Sequence, residues 1–325
     1  MKKLLTLMAV PLLMGLAGCK TTYTATVGIL QPVEHSALGA ARDGFKKGIE
    51  DSGLRVKFNY RNAGGKDADL NSFAKDLVDF SDMTLGIGTG AALALKGASD
   101  NSGYTKPLLF TAVTDPVEAG LVVSKDNPTG YICGTTDANP VEEQIALVKE
   151  FKPTATKVGI MYTQTEVNSK VQSDQAEVAI VAAGMTSTVM TCNGSSDIST
   201  VALALVGSGV DAIYIPTDNN IAANMNAVKE AAANRQVLII CGEENMLKSG
   251  GHVTLSIDYY SLGYATGKMA AEILKNEKKP TDYKVVPVAS SECTYAYSAL
   301  NLASSGLAMS AELLAAHDWK NVDEE

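Results

Sequence analysis

Thr26-Val27-Gly28-Ile29-Leu30 is a short uncharged run, followed by Leu38, Ala41, Phe45 and Ile49 at helical spacing and by Asp51-Ser52-Gly53 as a stop. A run of this length suits a strand covered on both faces, so the stretch reads as one strand and one amphipathic helix. The unit recurs: residues 56–60 with a helix through Leu70, Phe73 and Leu77, residues 83–87 with a helix over 91–96, then residues 107–111. Such alternation predicts an α/β fold on a parallel sheet with helices on both faces.

A second series begins after Tyr131-Ile132-Cys133-Gly134. Asn139 is expected to cap a helix, with Pro140 at its first position and Glu142 and Glu143 in its first turn. Strands are expected at 157–162, 186–191, 211–216, 237–241 and 253–257. Helices fall at 171–183 and 198–206, with one more carrying Ile221, Met225 and Val228. Helical spacing returns at Leu262, Ala265, Met269 and Ile273, and a strand at 283–288 and a helix at 308–316 complete the pattern. These late elements exceed what a five-stranded second lobe needs, so the chain should cross between lobes more than once. The expected architecture is two doubly wound parallel-sheet lobes joined by a multi-crossing hinge, with a ligand cleft between them. The first lobe would comprise residues 26–134 plus 259–289, and the second 135–258 plus 290–325.

Ahead of the first strand stand Lys2 and Lys3, an apolar run over 4–13, and Leu16-Ala17-Gly18-Cys19. Ten apolar residues are short against the roughly 20 that span a bilayer. The pattern reads as a signal peptide over 1–18 ending in a lipobox. Cys19 would be acylated as the mature N-terminus, residues 19–25 would form a tether, and the protein would be extracytoplasmic and attached to the cell membrane through that lipid anchor.

Cleavage would leave about 307 of the 325 residues, comfortable for two domains. A net charge of −9 with no basic patch argues against nucleic acid as a partner. Cys133, Cys192, Cys241 and Cys293 show no CxxC spacing, and read more readily as small buried hydrophobes than as disulfides. His35, His252 and His317 are scattered, which argues against a metal cluster, and no cofactor is expected. The absence of a GxSxG elbow, and of a Cys with a neighbouring His, argues against an enzyme.

In open parallel sheets ligands bind beyond the carboxyl ends of the strands. Polar residues gather at those places, giving as candidate ligand contacts Gln31, Glu34, His35, Thr89, Gly90, Thr111, Asp115, Asp137, Tyr162, Asn168, Thr217, Asp218, Asn219, Glu243, Asp258 and Tyr259. Thr89-Gly90-Ala91-Ala92 lies between strand and helix, where free N–H groups and the positive dipole end suit a carboxylate. An opposing ammonium would need an acid, for which Asp115, Asp218, Glu243 and Asp258 are available. Asp115 and Asp218 also read as helix caps, whereas Glu is a poor cap and Glu243 follows a buried run. Phe110, Tyr162, Tyr214, Tyr259 and Tyr260 could wall an aromatic side group or belong to the core.

Several of these stretches occur together in one family. Gly28-Ile29-Leu30-Gln31 with Val33-Glu34-His35, Phe110-Thr111-Ala112-Val113-Thr114-Asp115-Pro116, Tyr214-Ile215-Pro216-Thr217-Asp218-Asn219, Gly242-Glu243-Glu244 and Ile257-Asp258-Tyr259-Tyr260 resemble the substrate-binding lipoproteins of ABC importers of the tryptophan and tyrosine uptake type. The resemblance runs from about Thr26 to Leu313-Leu314-Ala315, and departs from it at Asn62-Ala63-Gly64-Gly65-Lys66-Asp67. It implies a type I periplasmic-binding-protein fold, an ABC permease with its ATPase as partner, and a small ligand, commonly an aromatic amino acid, closed between the lobes. A surface receptor, ligand sensor or adhesin on the same fold is the alternative. Gly86-Ile87-Gly88-Thr89-Gly90-Ala91 also looks like a dinucleotide fingerprint, but it follows the third strand rather than the first and is weak evidence alone.

Overall fold

The computed structural model describes residues 24–103, 105–128, 130–285 and 292–324. Cys19 and the expected signal peptide lie outside them. Among the described residues no helix is long and apolar enough to cross a membrane.

The first half of the chain alternates strand and helix as β1 (Ala25–Gln31), α1 (Ser36–Glu50), β2 (Val56–Asn62), α2 (Asp67–Phe80), β3 (Met83–Ile87), α3 (Thr89–Ser102), β4 (Leu108–Thr111) and β5 (Ile132–Gly134). These strands form one parallel sheet in the order β2-β1-β3-β4-β5. Val27, Ile29, Met83, Leu85 and Ile87 point toward α1, while Leu30, Leu108 and Phe110 join the core under α2 and α3. Both faces are therefore dry, which is why these strands read as near-continuous apolar runs.

The second half runs through α4 (Val141–Phe151), β6 (Lys157–Thr163), α5 (Val167–Ala182), β7 (Thr186–Cys192), α6 (Ile198–Gly207), β8 (Ala212–Ile215), α7 (Asn219–Ala222), α8 (Met225–Ala232), β9 (Leu238–Cys241), α9 (Asn245–Ser249) and β10 (Val253–Ser256). The chain continues as α10 (Tyr259–Leu274), β11 (Thr294–Tyr297), α11 (Ala299–Ser304), α12 (Ala311–Ala316) and β12 (Trp319–Asn321). The second sheet is ordered β12-β11-β10-β9-β8-β6-β7, with β11 antiparallel to β10. Its first five strands in chain order repeat the arrangement of the first sheet.

Some expectations are corrected. Pro140, not Asn139, flanks α4 on its N-terminal side, because the Asn139 amide turns back to donate to the Asp137 carbonyl at 3.0 Å. The helix expected through Ile221, Met225 and Val228 is split into α7 and α8, and at the break Asn224 donates to the Asn220 carbonyl at 2.8 Å, the side-chain competition that interrupts helices. Residues 283–285 are not strand, although the Val285 amide donates to the Lys125 carbonyl at 2.8 Å, and residues 286–288 lie outside the described ones. The short elements α9, β11, α11 and β12 carried no clear periodicity.

After β10 the chain leaves the second sheet, and α10 packs along α1 of the first lobe. Glycines make that approach possible. A Cβ on Gly44 would land on the Tyr260 carbonyl oxygen, one on Gly48 on that of Tyr264, one on Gly263 on that of Ala41, and one on Gly267 on that of Phe45. The two helices thus touch backbone to backbone, closer than side chains normally allow. Backbone cannot swing aside as a flexible side chain can. Gly263→Ala is therefore expected to cost about 1–3 kcal/mol of stability, measured as a lower urea midpoint; an unchanged midpoint would mean that the helices can separate without penalty.

Candidate functional site

A strand order of this kind has one place in each sheet where consecutive connections leave toward opposite faces, and a crevice opens there. In the first lobe it lies between β1 and β3, since α1 and α3 belong to different cores. In the second lobe it lies between β6 and β8, followed by α5 and α7 on opposite faces. Pro32 and Val33 after β1, Thr89 and Gly90 after β3, Thr165 and Glu166 after β6, and Asn219 and Asn220 after β8 line one common cavity. Its enclosed volume is about 100 Å³.

Gly88, at φ 84°, turns β3 into α3 and leaves the helix start without a side-chain cap. The first N–H groups of α3 are thus not claimed by a capping side chain, and Thr89 Oγ1, also buried, finds no partner. Pro32, Val33, Ala63, Leu70, Leu93 and Val167 supply an aliphatic wall. Lys66 and Asp67 reach the same cavity from the loop where the sequence departs from the family pattern.

Behind it a second cavity of about 10 Å³, space for about one water, is bordered by His35, Asp137, Thr217, Asp218, Glu243 and Tyr259. Asn168 and Asn219 border both cavities. Ala112, at the cleft end of β4, takes a left-handed φ of 55°, a strained position for a residue with a Cβ.

This inner region concentrates buried acids. Asp218 accepts from the Thr163 amide at 2.6 Å, the Thr163 hydroxyl at 2.8 Å and the Ile221 amide at 2.9 Å. Asp137 accepts from the Thr114 hydroxyl at 3.0 Å and the Tyr259 hydroxyl at 2.7 Å. Burial raises both carboxyls, against the pull of these donors. Burial also pushes the Glu243 carboxyl up to about 7, although the Asn245 amide donates to its Oε2 at 2.6 Å. Its Oε1 is buried without a partner. Burial and then Asp218 raise the Glu166 carboxyl, opposed by the amides of Asn219 and Asn220. His35 is lowered by burial. The lobes also meet across the cleft at His35 Nε2 to Asn219 Oδ1, 3.1 Å, and at the Thr114 hydroxyl to that of Thr217, 3.5 Å.

A cleft that gathers loops from two like-built lobes, with an open helix start facing buried acids, is a clamp for a small polar ligand. The family model described as ABC transporter substrate binding protein matches residues 26–314. The chain belongs to that family. A tyrosine-binding protein of Clostridioides difficile (strain R20291) is 36% identical over 263 residues, 77% of this chain and 73% of that protein. Among solved structures, an ABC domain in complex with L-Trp from Streptococcus pneumonia shares 29% identity with a TM-score of 0.84, covering 91% of this chain and 99% of that one. The ligand-free, open structure of a substrate-binding protein with adhesive properties from Clostridium difficile shares 31% identity with a TM-score of 0.66, at the same coverage of 91% and 99%. The architecture is the type I periplasmic-binding-protein fold.

In this substrate-binding protein, His35, Thr89, Gly90, Asp137, Asn168, Thr217, Asp218, Asn219, Glu243 and Tyr259 line one or both cavities. Gln31, Glu34, Thr111, Asp115, Tyr162 and Asp258 line neither, and each has a local reason. Gln31 donates to the Val33 carbonyl at 2.8 Å and shapes the turn from below. Glu34 faces outward to Arg42 at 3.2 Å and accepts from the Tyr60 hydroxyl at 2.8 Å. The Thr111 hydroxyl meets that of Thr135 at 3.1 Å. Asp115 caps the turn at Val117 and Glu118 and pairs with Lys125 at 2.8 Å, and Asp258 caps α10 through the Tyr260 amide at 2.9 Å. Tyr162 packs on the core under α4 and α5, and its neighbour Thr163, on the other face of the sheet because strand side chains alternate, bonds to Asp218.

The expected aromatic walls are likewise mostly elsewhere. Phe110 and Tyr214 are fully buried in the cores, Tyr260 is exposed, and only Tyr259 reaches a cavity. Glu166 was missed, although its place after β6 and before α5 is the kind of position that drew attention to Thr89. Cys133, Cys192 and Cys241 are buried free thiols, and Cys293 is half-buried. Among the described residues no group of His, Cys, Asp or Glu could hold a metal ion.

Glu243 carries a pH signature. Its carboxyl lies near 7 in the fold against 4.5 for a free glutamate side chain, so the folded protein holds that proton more tightly than the unfolded chain. Its contribution is full below about pH 4.5 and is lost as pH rises toward 7, by up to about 3 kcal/mol. Denaturant titrations at stepped pH should therefore show a decline over this window that Glu243→Gln flattens. Parallel profiles for the two proteins would place the shift on another group.

Proposed function

We propose that this substrate-binding protein captures an aromatic amino acid, tyrosine or tryptophan foremost and phenylalanine with them, by closing its two lobes over it. It then presents the ligand to an ABC permease with its ATPase, held at the membrane by acylated Cys19. The moving bodies are residues 26–134 with 259–289, and 135–258 with 290–325. The observation that carries this reading is the convergence of both lobes' switch-point loops on one cleft, where His35 Nδ1, Thr89 Oγ1 and Glu243 Oε1 are buried without partners. Buried polar atoms of that kind are costly unless a ligand satisfies them. The tyrosine-binding relative and the L-Trp complex support the ligand class.

In this reading the ligand carboxylate takes the open start of α3, and the ammonium turns toward Asp137, Asp218 and Glu243. The ring lies against Pro32, Val33, Leu70 and Leu93, an aliphatic wall rather than an aromatic stack. The direct contacts between lobes are those of a closed clamp. A TM-score of 0.84 to the L-Trp complex against 0.66 to the open, ligand-free relative, at similar identity, supports the same state. A ligand drives closure only by binding the closed form more tightly than the open one.

Purified protein screened by thermal shift against the common amino acids should respond to tyrosine and tryptophan. At a hundred times the dissociation constant a true ligand adds about 2.7 kcal/mol of stability. A response to a sugar or purine with none to aromatic amino acids would overturn the ligand class. Similarity to a protein with adhesive properties favours a second reading, surface attachment. Deleting the gene separates the two, since import predicts lost uptake of the ligand and adhesion predicts unchanged uptake with weaker attachment.

A further inference from the structure

Asn219 connects two groups that sit in different lobes. Its Nδ2 donates to Glu166 Oε2 at 2.6 Å, and its Oδ1 lies 3.1 Å from His35 Nε2. Which way this amide faces is decided by Glu166. The Asn219 amide N–H donates to Glu166 Oε2 at 3.0 Å and the Asn220 amide N–H to Oε1 at 3.0 Å. Each carboxyl oxygen is therefore held as an acceptor by a backbone donor that cannot turn over. Asn168 and Asn220 side-chain amides add donors at 3.2 Å each. With Glu166 ionised, a flipped Asn219 would set its carbonyl oxygen against this acceptor, so the Nδ2 group faces the Glu166 carboxylate and Oδ1 faces the histidine.

A carbonyl oxygen only accepts, so His35 Nε2 must carry the proton. Burial keeps the ring neutral, and a neutral imidazole has one N–H. Nδ1 is then a bare acceptor, buried and without a partner. The ring borders the inner cavity with Asp137, Asp218 and Glu243, and no Lys or Arg lines that cavity. The remaining charged neighbour is Glu34, which precedes His35 on the same loop.

We infer that Glu166 acts through Asn219 as a positioning residue that fixes the His35 tautomer, and that His35 Nδ1 accepts a hydrogen bond from the ammonium group of the bound amino acid. This rests on the proposed function. It assigns a role to a residue outside the sequence-derived candidates and names the ligand group that His35 reads. An acid-rich cavity without a resident cation calls for a cationic donor, and the α-ammonium is the one such group of tyrosine or tryptophan. Because His35 and Asn219 come from opposite lobes, the acceptor is set only on closure.

The test uses the full mature protein, 15N-labelled, with L-tyrosine or L-tryptophan. The chain has three histidines, so His35→Gln assigns the ring signals of His35. In the complex the His35 proton should sit on Nε2 and the ring should be neutral at pH 7. A proton on Nδ1, or an imidazolium in the complex, would overturn the inference. Affinities for L-tyrosine and for 3-(4-hydroxyphenyl)propionate, which lacks the ammonium, complete a cycle with His35→Gln. The variant should lose roughly tenfold or more for tyrosine, and nothing comparable for the propionate. Equal losses for both would also overturn it. Glu166→Gln should mix the two tautomers, which a merely structural role would not do; should that variant not fold, the wild-type spectrum and the His35 cycle still decide. If neither amino acid binds the wild-type protein, the proposed function fails first and this inference with it. If they bind with the wrong tautomer, only the inference fails.

Discussion

The contact between α1 and α10 is the constraint on which the two-lobed form depends. Four glycines let the helices meet at the level of their backbones, and the consequence reaches well past local packing. Tyr259 opens α10 immediately after the chain leaves β10, so seating α10 against α1 draws the second lobe's last parallel strand to the lobe boundary. The return crossing at residues 257–258 is thereby fixed beside the first crossing after β5. Tyr259 then delivers its hydroxyl to Asp137, on the segment that makes that first crossing. Two adjacent strands of chain, cross-linked by one buried hydrogen bond, give the lobes a defined axis rather than a loose tether.

Energetically the cleft is an arrangement of unmet demands. Asp137, Asp218 and Glu243 are buried, Glu166 is half-buried, and all four are raised, which means that each is less comfortable ionised than it would be in water. Hydrogen bonds from Thr163, Thr114 and the start of α7 relieve part of that cost. The closed form without ligand retains the rest, and an entering ammonium would relieve more of it than water could. Such a site favours closure around a cation and disfavours closure when empty, which is what a capture device requires.

The alternation of strand and helix was legible because both sheets are covered on two faces, so their strands appear as apolar runs bounded by loops. The candidate residues were less legible, and those that line neither cavity share a cause. Asp115 and Asp258 occupy the same kind of position as Asp218 in the sequence, but their carboxylates turn to the amides of Val117, Glu118 and Tyr260 while Asp218 borders the inner cavity, a difference of loop geometry that no one strand records. Tyr162 and Thr163 are neighbours in sequence and face opposite ways, a choice made by the pleat rather than by residue type. Glu166 went unnoticed because a lone Glu in a polar loop carries no signature until Asn219 and Asn220 fold over it. The family resemblance supplied the fold and the class of protein, and it could not supply which atoms remain unpartnered.

The repeated strand order has a further consequence. Because both lobes are built alike, the loop leading into α3 is the counterpart of the loop leading into α7. A site with that internal symmetry would hold a ligand in either of two orientations. The symmetry is broken at one pair of equivalent positions, where Gly88 leaves the start of α3 without a side-chain cap and Asp218 fills the start of α7 with its own carboxylate. One lobe thus keeps a vacant positive end while the other has an internal anion in its place. For the proposed amino-acid ligand these near-equivalent sites form a polarised pair, and its head-to-tail direction would follow from a single difference between glycine and aspartate.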